Sequence, residues 1–128
     1  MNAKATLRPH ERLRDPEDFR RIFERRRFDS DDVLVVYGAE NGFDHSRLGI
    51  SVARKKVRAA HARNRLKRLV REAFRLSKAE LPPGIDFVVV PRGGNVSLAA
   101  VRRSLIILAG HVARRISKTR SATEGGPP

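Results

Sequence analysis

The sequence predicts a two-layer α/β (α+β) sandwich. It would have a small mixed sheet with helices packed mainly on one face, in the order helix, strand, strand, helix, strand, helix. Three observations carry this reading. The chain has 128 residues, 40% of them hydrophobic, enough for one packed domain without disulfides or metals. Two long stretches, His61–Lys78 and Leu98–Ile116, repeat apolar residues at helical spacing. Three short runs, around Val33–Tyr37, Leu48–Ala53 and Ile85–Val90, have the β-branched or alternating character of strands.

Met1–Arg14 reads as irregular and basic. Asp15-Pro16-Glu17-Asp18 is a helix start, because Asp15 can cap, Pro16 suits the first helical position and the acids face the positive end of the dipole. Phe19, Ile22 and Phe23 then mark one face of a short helix ending near Arg26. Asp29–Asp32 reads as a turn and Val33–Tyr37 as a strand that ends on its tyrosine. A loop from Gly38 to Ser46 leads to the second strand, and the two are expected to form a hairpin. Gly49, Ser51 and Ala53 share one face of that second strand, which leaves room for another chain to approach.

Arg54–Ala60 is a basic connector into the helix at His61, which Pro82-Pro83-Gly84 terminates. Phe87-Val88-Val89-Val90 reads as the most buried strand. Asn95 or Ser97 can cap the last helix, whose stripe is Val101, Leu105, Leu108, Val112 and Ile116. Residues 1–116 are thus expected to form a single domain. Residues 117–128, without large apolar side chains and ending in Gly-Gly-Pro-Pro, are expected to be a disordered tail.

Charge narrows the function. The net charge is +14, with 28 Lys and Arg against 14 Asp and Glu. Val52–Lys78 alone holds eleven basic residues and one acid, Glu72. An inert helix face mixes signs to form ion pairs, and this one does not, so a polyanion partner is indicated. On a helical wheel Leu66, Leu69, Val70, Ala73 and Phe74 form the buried stripe. Asn64, Lys67, Arg68, Arg71, Arg75 and Lys78 form a cationic ridge, flanked by Arg63 and Arg65. Arginine suits bidentate contact with phosphate.

Other classes fit less well. The absence of cysteine excludes disulfide scaffolds, thiolate metal sites and cysteine catalysis. No apolar run reaches the roughly 18 residues of a membrane span, and Met1–Arg14 has no signal-like stretch, so a cytoplasmic protein with no membrane partner is expected. His10, His45, His61 and His111 are scattered, and Asp29–Asp32 reads as a solvated turn before it reads as a cation site. No catalytic or metal-binding residue is therefore assigned. A helix-turn-helix regulator needs a helix just before the basic one, where a strand and connector stand instead.

The run Arg63-Asn64-Arg65, Lys67-Arg68, Arg71-Glu72 resembles the signature of the bacterial ribonuclease P protein component. Leu48–His61, Arg12-Leu13 with Asp18-Phe19 and Ile22-Phe23, and Asp86–Arg92 are similar to the segments around that signature, over roughly residues 8–115. The resemblance implies an α/β sandwich with a left-handed βαβ crossover. It also implies a subunit that joins a catalytic RNA to remove the 5′ leader of precursor tRNA, using magnesium held mainly by the RNA. No obligate protein partner is implied. Two surfaces carry over: Arg63, Asn64, Arg65, Lys67, Arg68 and Arg71 toward the catalytic RNA, and a leader cleft lined by Phe19, Phe23, Tyr37, Ser51 and Arg54. Ala53 departs from the hydroxyl residue many relatives carry, which removes one polar leader contact. The competing reading is an RNA-binding or ribosomal protein without an enzyme partner, which has no need of a leader cleft.

Overall fold

The computed structural model describes residues 7–93 and 95–124, with side chains described as far as residue 118. A four-stranded sheet is covered by α1 (Pro16–Arg25) on one face and by α2 (Ala60–Ser77) and α3 (Leu98–Glu124) on the other. The strands are β1 (Phe28–Ser30), β2 (Leu34–Glu40), β3 (Arg47–Ile50) and β4 (Ile85–Pro91), in the spatial order β1-β2-β4-β3. This is the mixed α+β sheet the sequence predicts, with three corrections to its wiring.

First, β2 and β3 do not form a hairpin. β4 lies between them, antiparallel to β2 and parallel to β3. The reason lies in burial. β4 reads Ile-Asp-Phe-Val-Val-Val-Pro and is buried at every position but Val90, so it needs cover on both faces and takes the centre. β3–α2–β4 is then a βαβ crossover between neighbouring parallel strands. Tyr37 consequently sits within β2, not at its end.

Second, part of the expected Asp29–Asp32 turn is strand. Phe28, Asp29 and Ser30 pair antiparallel with Tyr37, Val36 and Val35. Asp and Ser have little strand propensity, so tertiary contacts decide this segment. Asp29 Oδ2 lies 2.6 Å from His111 Nδ1 of α3, and Arg115 adds a longer ion pair at 3.9 Å. The His111 hydrogen bond, against the opposing effect of burial, holds the Asp29 carboxyl below its ordinary pKa. The turn proper is closed by Asp31, whose Oδ1 accepts the N–H groups of Val33 (2.8 Å) and Leu34 (2.9 Å).

Third, α3 does not stop at Ile116. It continues to Glu124, so residues 117–124 of the expected tail are helical, and 125–128 lie outside the described residues. Ile116 is nevertheless the last buried position of the stripe. The residues after it, Ser117–Glu124, include no large apolar side chain, which is why hydrophobic periodicity does not signal the extension.

The caps follow the sequence. Asp15 Oδ1 accepts Glu17 N–H at 3.0 Å, and Ser97 Oγ accepts Ala100 N–H at 3.1 Å. The main core joins Val70, Ala73 and Phe74 of α2 with Val101, Leu105 and Val112 of α3 over Leu34, Val36, Phe87 and Val89 of the sheet. A smaller core under α1 holds Leu13, Ile22, Ala39 and Val88.

A buried charge ties α1 to the sheet. Asp86 has a fully buried side chain. It accepts from Arg47 Nε (2.8 Å) and Nη2 (2.6 Å), Arg21 Nη2 (2.6 Å) and Asn41 Nδ2 (2.9 Å). Burial alone would raise its pKa. The bonds from Arg47, Asn41 and Arg21 outweigh burial and hold the carboxyl below its ordinary value.

Candidate RNA interface

The residues expected to form the two surfaces lie on α2 and between α1 and the sheet, and the two groups meet at the β3 edge, where Lys67, Arg71 and Phe19 line one cavity. On α2, Asn64, Arg65 and Arg68 are exposed, while Arg63, Lys67 and Arg71 are half-buried. Their roles diverge. Arg63 Nη1 donates to the carbonyls of Val57 (3.0 Å) and Arg58 (2.7 Å), so its guanidinium braces the connector. The N-cap itself, Ala59, offers no side-chain acceptor to the first N–H groups of the helix. Arg75 is paired with Glu72 and Lys78 with Glu11, which removes both from the bare end of the ridge.

Lys67 and Arg71 open onto a cavity of about 210 Å³ that they share with Arg12, Arg14, Phe19 and the β3 residues Leu48 and Ile50. Burial, with the like charges of Arg12 and Arg68 beside it, lowers the pKa of the Arg71 guanidinium. The guanidinium remains charged at neutral pH. An anion placed here would relieve both the crowding and the desolvation. Arg12 and Arg14 carry no signal of this in the sequence. A parallel bridge from Arg12 to Leu48, with Leu13 N–H donating to Leu48 O at 2.8 Å, draws that segment onto the β3 edge beside α2.

The second surface lies on the α1 side of the sheet. Phe19 and Phe23 are half-buried along α1, and Phe23 meets Tyr37 edge to face at 4.7 Å. The space expected beside Gly49 is already filled. A Cβ there would lie 2.6 Å from Phe19 Cζ and 3.2 Å from Leu13 Cβ. Gly49→Ala should therefore cost about 1–3 kcal/mol, measured by denaturant unfolding, because the Phe19 ring must leave its packed position.

The open floor lies one register position away. Val35 pairs with Val90, and Ser51 N–H donates to Val89 O at 3.0 Å, extending the ladder past β3. Val35, Val90 and Ser51 are half-buried on this face, whereas Val88 and Ala39 beneath α1 are closed off. Sequence reading does not single out Val35 and Val90, since β-branched residues in a strand look like core. Arg54 stands exposed in a turn just past Ser51, and Ala53 belongs to that turn instead of sharing a strand face.

Neither surface suits a metal ion or acid–base chemistry. Apart from the Asn64 amide and the Ser51 hydroxyl, both are made of cations, aromatic rings and aliphatic side chains. Among the described residues, no group of three or more His, Asp or Glu could hold a metal. Asp29 and Asp31 have the partners given above. No helix among the described residues is long and apolar enough to cross a membrane.

Comparison with known proteins bears on the fold and the family. The ribonuclease P family model matches residues 7–113. A ribonuclease P protein component of Photorhabdus laumondii is 41% identical over 104 residues, covering 81% of this chain and 85% of the relative. One from Klebsiella pneumoniae is 44% identical over 87 residues, 68% of this chain and 72% of the relative. The ribonuclease P protein of Thermotoga maritima superposes with a TM-score of 0.70 at 43% identity, over 77% of this chain and 94% of that one. The Staphylococcus aureus protein gives 0.66 at 31% identity, over 82% and 94%. With the family model spanning both the cationic helix and the cleft, the chain belongs to the ribonuclease P protein family, the protein component of the endoribonuclease that matures tRNA 5′ ends.

Proposed function

We propose that this chain binds ribonuclease P catalytic RNA through α2 and the 5′ leader of precursor tRNA through the cleft between α1 and the sheet. One observation carries the reading. The cationic ridge and the aromatic cleft adjoin at the β3 edge, where Lys67, Arg71 and Phe19 share one cavity. A leader leaving the catalytic RNA then passes directly onto the protein.

Asn64, Arg65, Lys67, Arg68 and Arg71 face the catalytic RNA, and Arg63 contributes chiefly by holding the connector. Phe19, Phe23 and Tyr37 line the leader path over Val35, Val90 and Ser51, with Arg54 at its basic end. Rings can stack on bases without reading sequence, and cations can follow phosphates, so the cleft tolerates leaders of different sequence. Magnesium in this reading is held by the RNA, because the residues of both surfaces do not suit it. The setting is the cytoplasm, where the precursors are made. An RNA-binding protein without an enzyme partner is disfavoured, since the family identity and the aromatic side chains between α1 and the sheet point to the same subunit role.

The test combines the chain with a bacterial ribonuclease P RNA and labelled precursor tRNA at low magnesium. Protein-dependent cleavage at the mature 5′ end is expected. RNA binding without stimulation, while a known protein subunit stimulates the same RNA, would overturn the proposal. Tyr37→Ala should weaken holoenzyme binding of precursor tRNA by about tenfold, the lower range of a lost base–aromatic stack, and leave mature tRNA unchanged. Equal loss for both would remove the cleft from the account.

A further inference from the structure

We propose that Phe28 is a further stacking surface for the leader, at the end of the cleft farthest from the catalytic RNA. This rests on the leader reading above and extends it to a residue that neither the signature nor the hydrophobic pattern points to.

Phe28 pairs directly with Tyr37 across β1 and β2, so both side chains stand on the α1 face of the sheet. The two rings lie 5.2 Å apart at 33°, and Tyr37 in turn meets Phe23 at 4.7 Å. Three rings therefore run in a row from α1 to the outer edge of the sheet. Burial falls along the row: Phe23 and Tyr37 are half-buried, and Phe28 is 43% exposed. A phenylalanine displayed on an edge strand invites unwanted association, and charged residues are the usual choice there. Here the ring is kept in line with the cleft, and Arg25 and Arg26, both exposed, precede it. Rings for bases beside cations for phosphates are the composition of a single-strand track.

The topology sets the direction. β3 borders α2 and the catalytic-RNA side, and β1 is the opposite edge. A strand of RNA entering at Ser51 crosses three strand spacings to reach Phe28, about 14 Å. At about 3.4 Å per stacked nucleotide this is about four nucleotides. Phe28 thus meets leader positions upstream of those at Tyr37.

The experiment measures holoenzyme affinity for precursor tRNAs whose leaders are shortened stepwise from the 5′ end, with mature tRNA as reference. Phe28→Ala should lose about tenfold with long leaders and nothing once the leader is too short to reach β1. Phe28→Leu, which keeps apolar contact with Tyr37 but has no ring, should lose nearly as much, and Phe28→Trp should restore binding. Full affinity in Phe28→Leu, or a loss that ignores leader length, would show a packing role and overturn the proposal. If Phe28→Ala binds normally while Tyr37→Ala still loses long leaders selectively, Phe28 is excluded and the cleft stands. If neither variant shows leader-dependent loss, the cleft reading fails and takes this inference with it.

Discussion

Replacing Lys67, Arg68 and Arg71 together with alanine should lower affinity for ribonuclease P RNA by about 150- to 2,000-fold, taking about 1–1.5 kcal/mol for each phosphate contact. These three form the part of the α2 ridge whose charges crowd one another: Arg71 has Arg12 and Arg68 beside it, while Arg75 and Lys78 already have acidic partners. The fold should survive. The side chains turned into the core are Leu66, Val70, Ala73 and Phe74, and removing crowded like charges relieves repulsion in the free protein. The triple variant should therefore unfold at the same temperature as the parent, or slightly higher. The salt dependence supplies a second readout. The slope of log affinity against log salt should fall by about 0.7–0.9 for each phosphate contact removed. Unchanged affinity with an unchanged slope would take α2 out of the interface.

Asp86→Ala should destabilise the domain by about 3–5 kcal/mol, the scale for removing one partner of a buried ion pair. Asp86 is the shared acceptor for Arg47 on β3, Arg21 on α1 and Asn41 at the end of β2. Without it, Arg47 loses its ion-pair partner, while Arg21 is left with a longer pair to Asp18 (3.6 Å) and a weak bond to Glu40 O (3.4 Å) as its tie to the sheet. Phe19 and Phe23 ride on α1, so leader selectivity should decline along with stability. The same group predicts an acid dependence. Its folded pKa is depressed, so its stabilisation is complete above the ordinary aspartate value, about pH 4, and is lost as pH falls below it. Urea unfolding between neutral pH and pH 3 should show this loss in the parent. Asp86→Asn, which has no carboxylate to protonate, should start lower and show a shallower acid slope. A parental acid slope retained in full by Asp86→Asn would assign it to other carboxylates.

Much of the molecule is legible residue by residue. The caps at Asp15 and Ser97, the stripes of α2 and α3, and the burial of Phe87 to Val89 all depend on local spacing, and local spacing is what a sequence displays. The cationic ridge is legible for the same reason, since one helix carries all of it. Even so, Arg63 reads as one more RNA contact until its donation to Val57 and Arg58 is seen. Phe19 and Gly49 read as a ring beside an empty place until they are found filling the same space.

From its residue order alone this protein is a basic α+β domain with one helix committed to a polyanion, because periodicity and charge are properties of contiguous segments. Pairing between distant segments decided the rest. β4 entered between β2 and β3 because it alone demanded burial on both faces. Phe28–Ser30 became a strand because β2 had an open edge and α3 supplied His111 to Asp29. Arg12 joined Lys67 and Arg71 because a bridge to Leu48 brought it there. Apart from the short-range β1–β2 pairing, these contacts join residues far apart in the chain, and their free energy exists once the sheet is assembled.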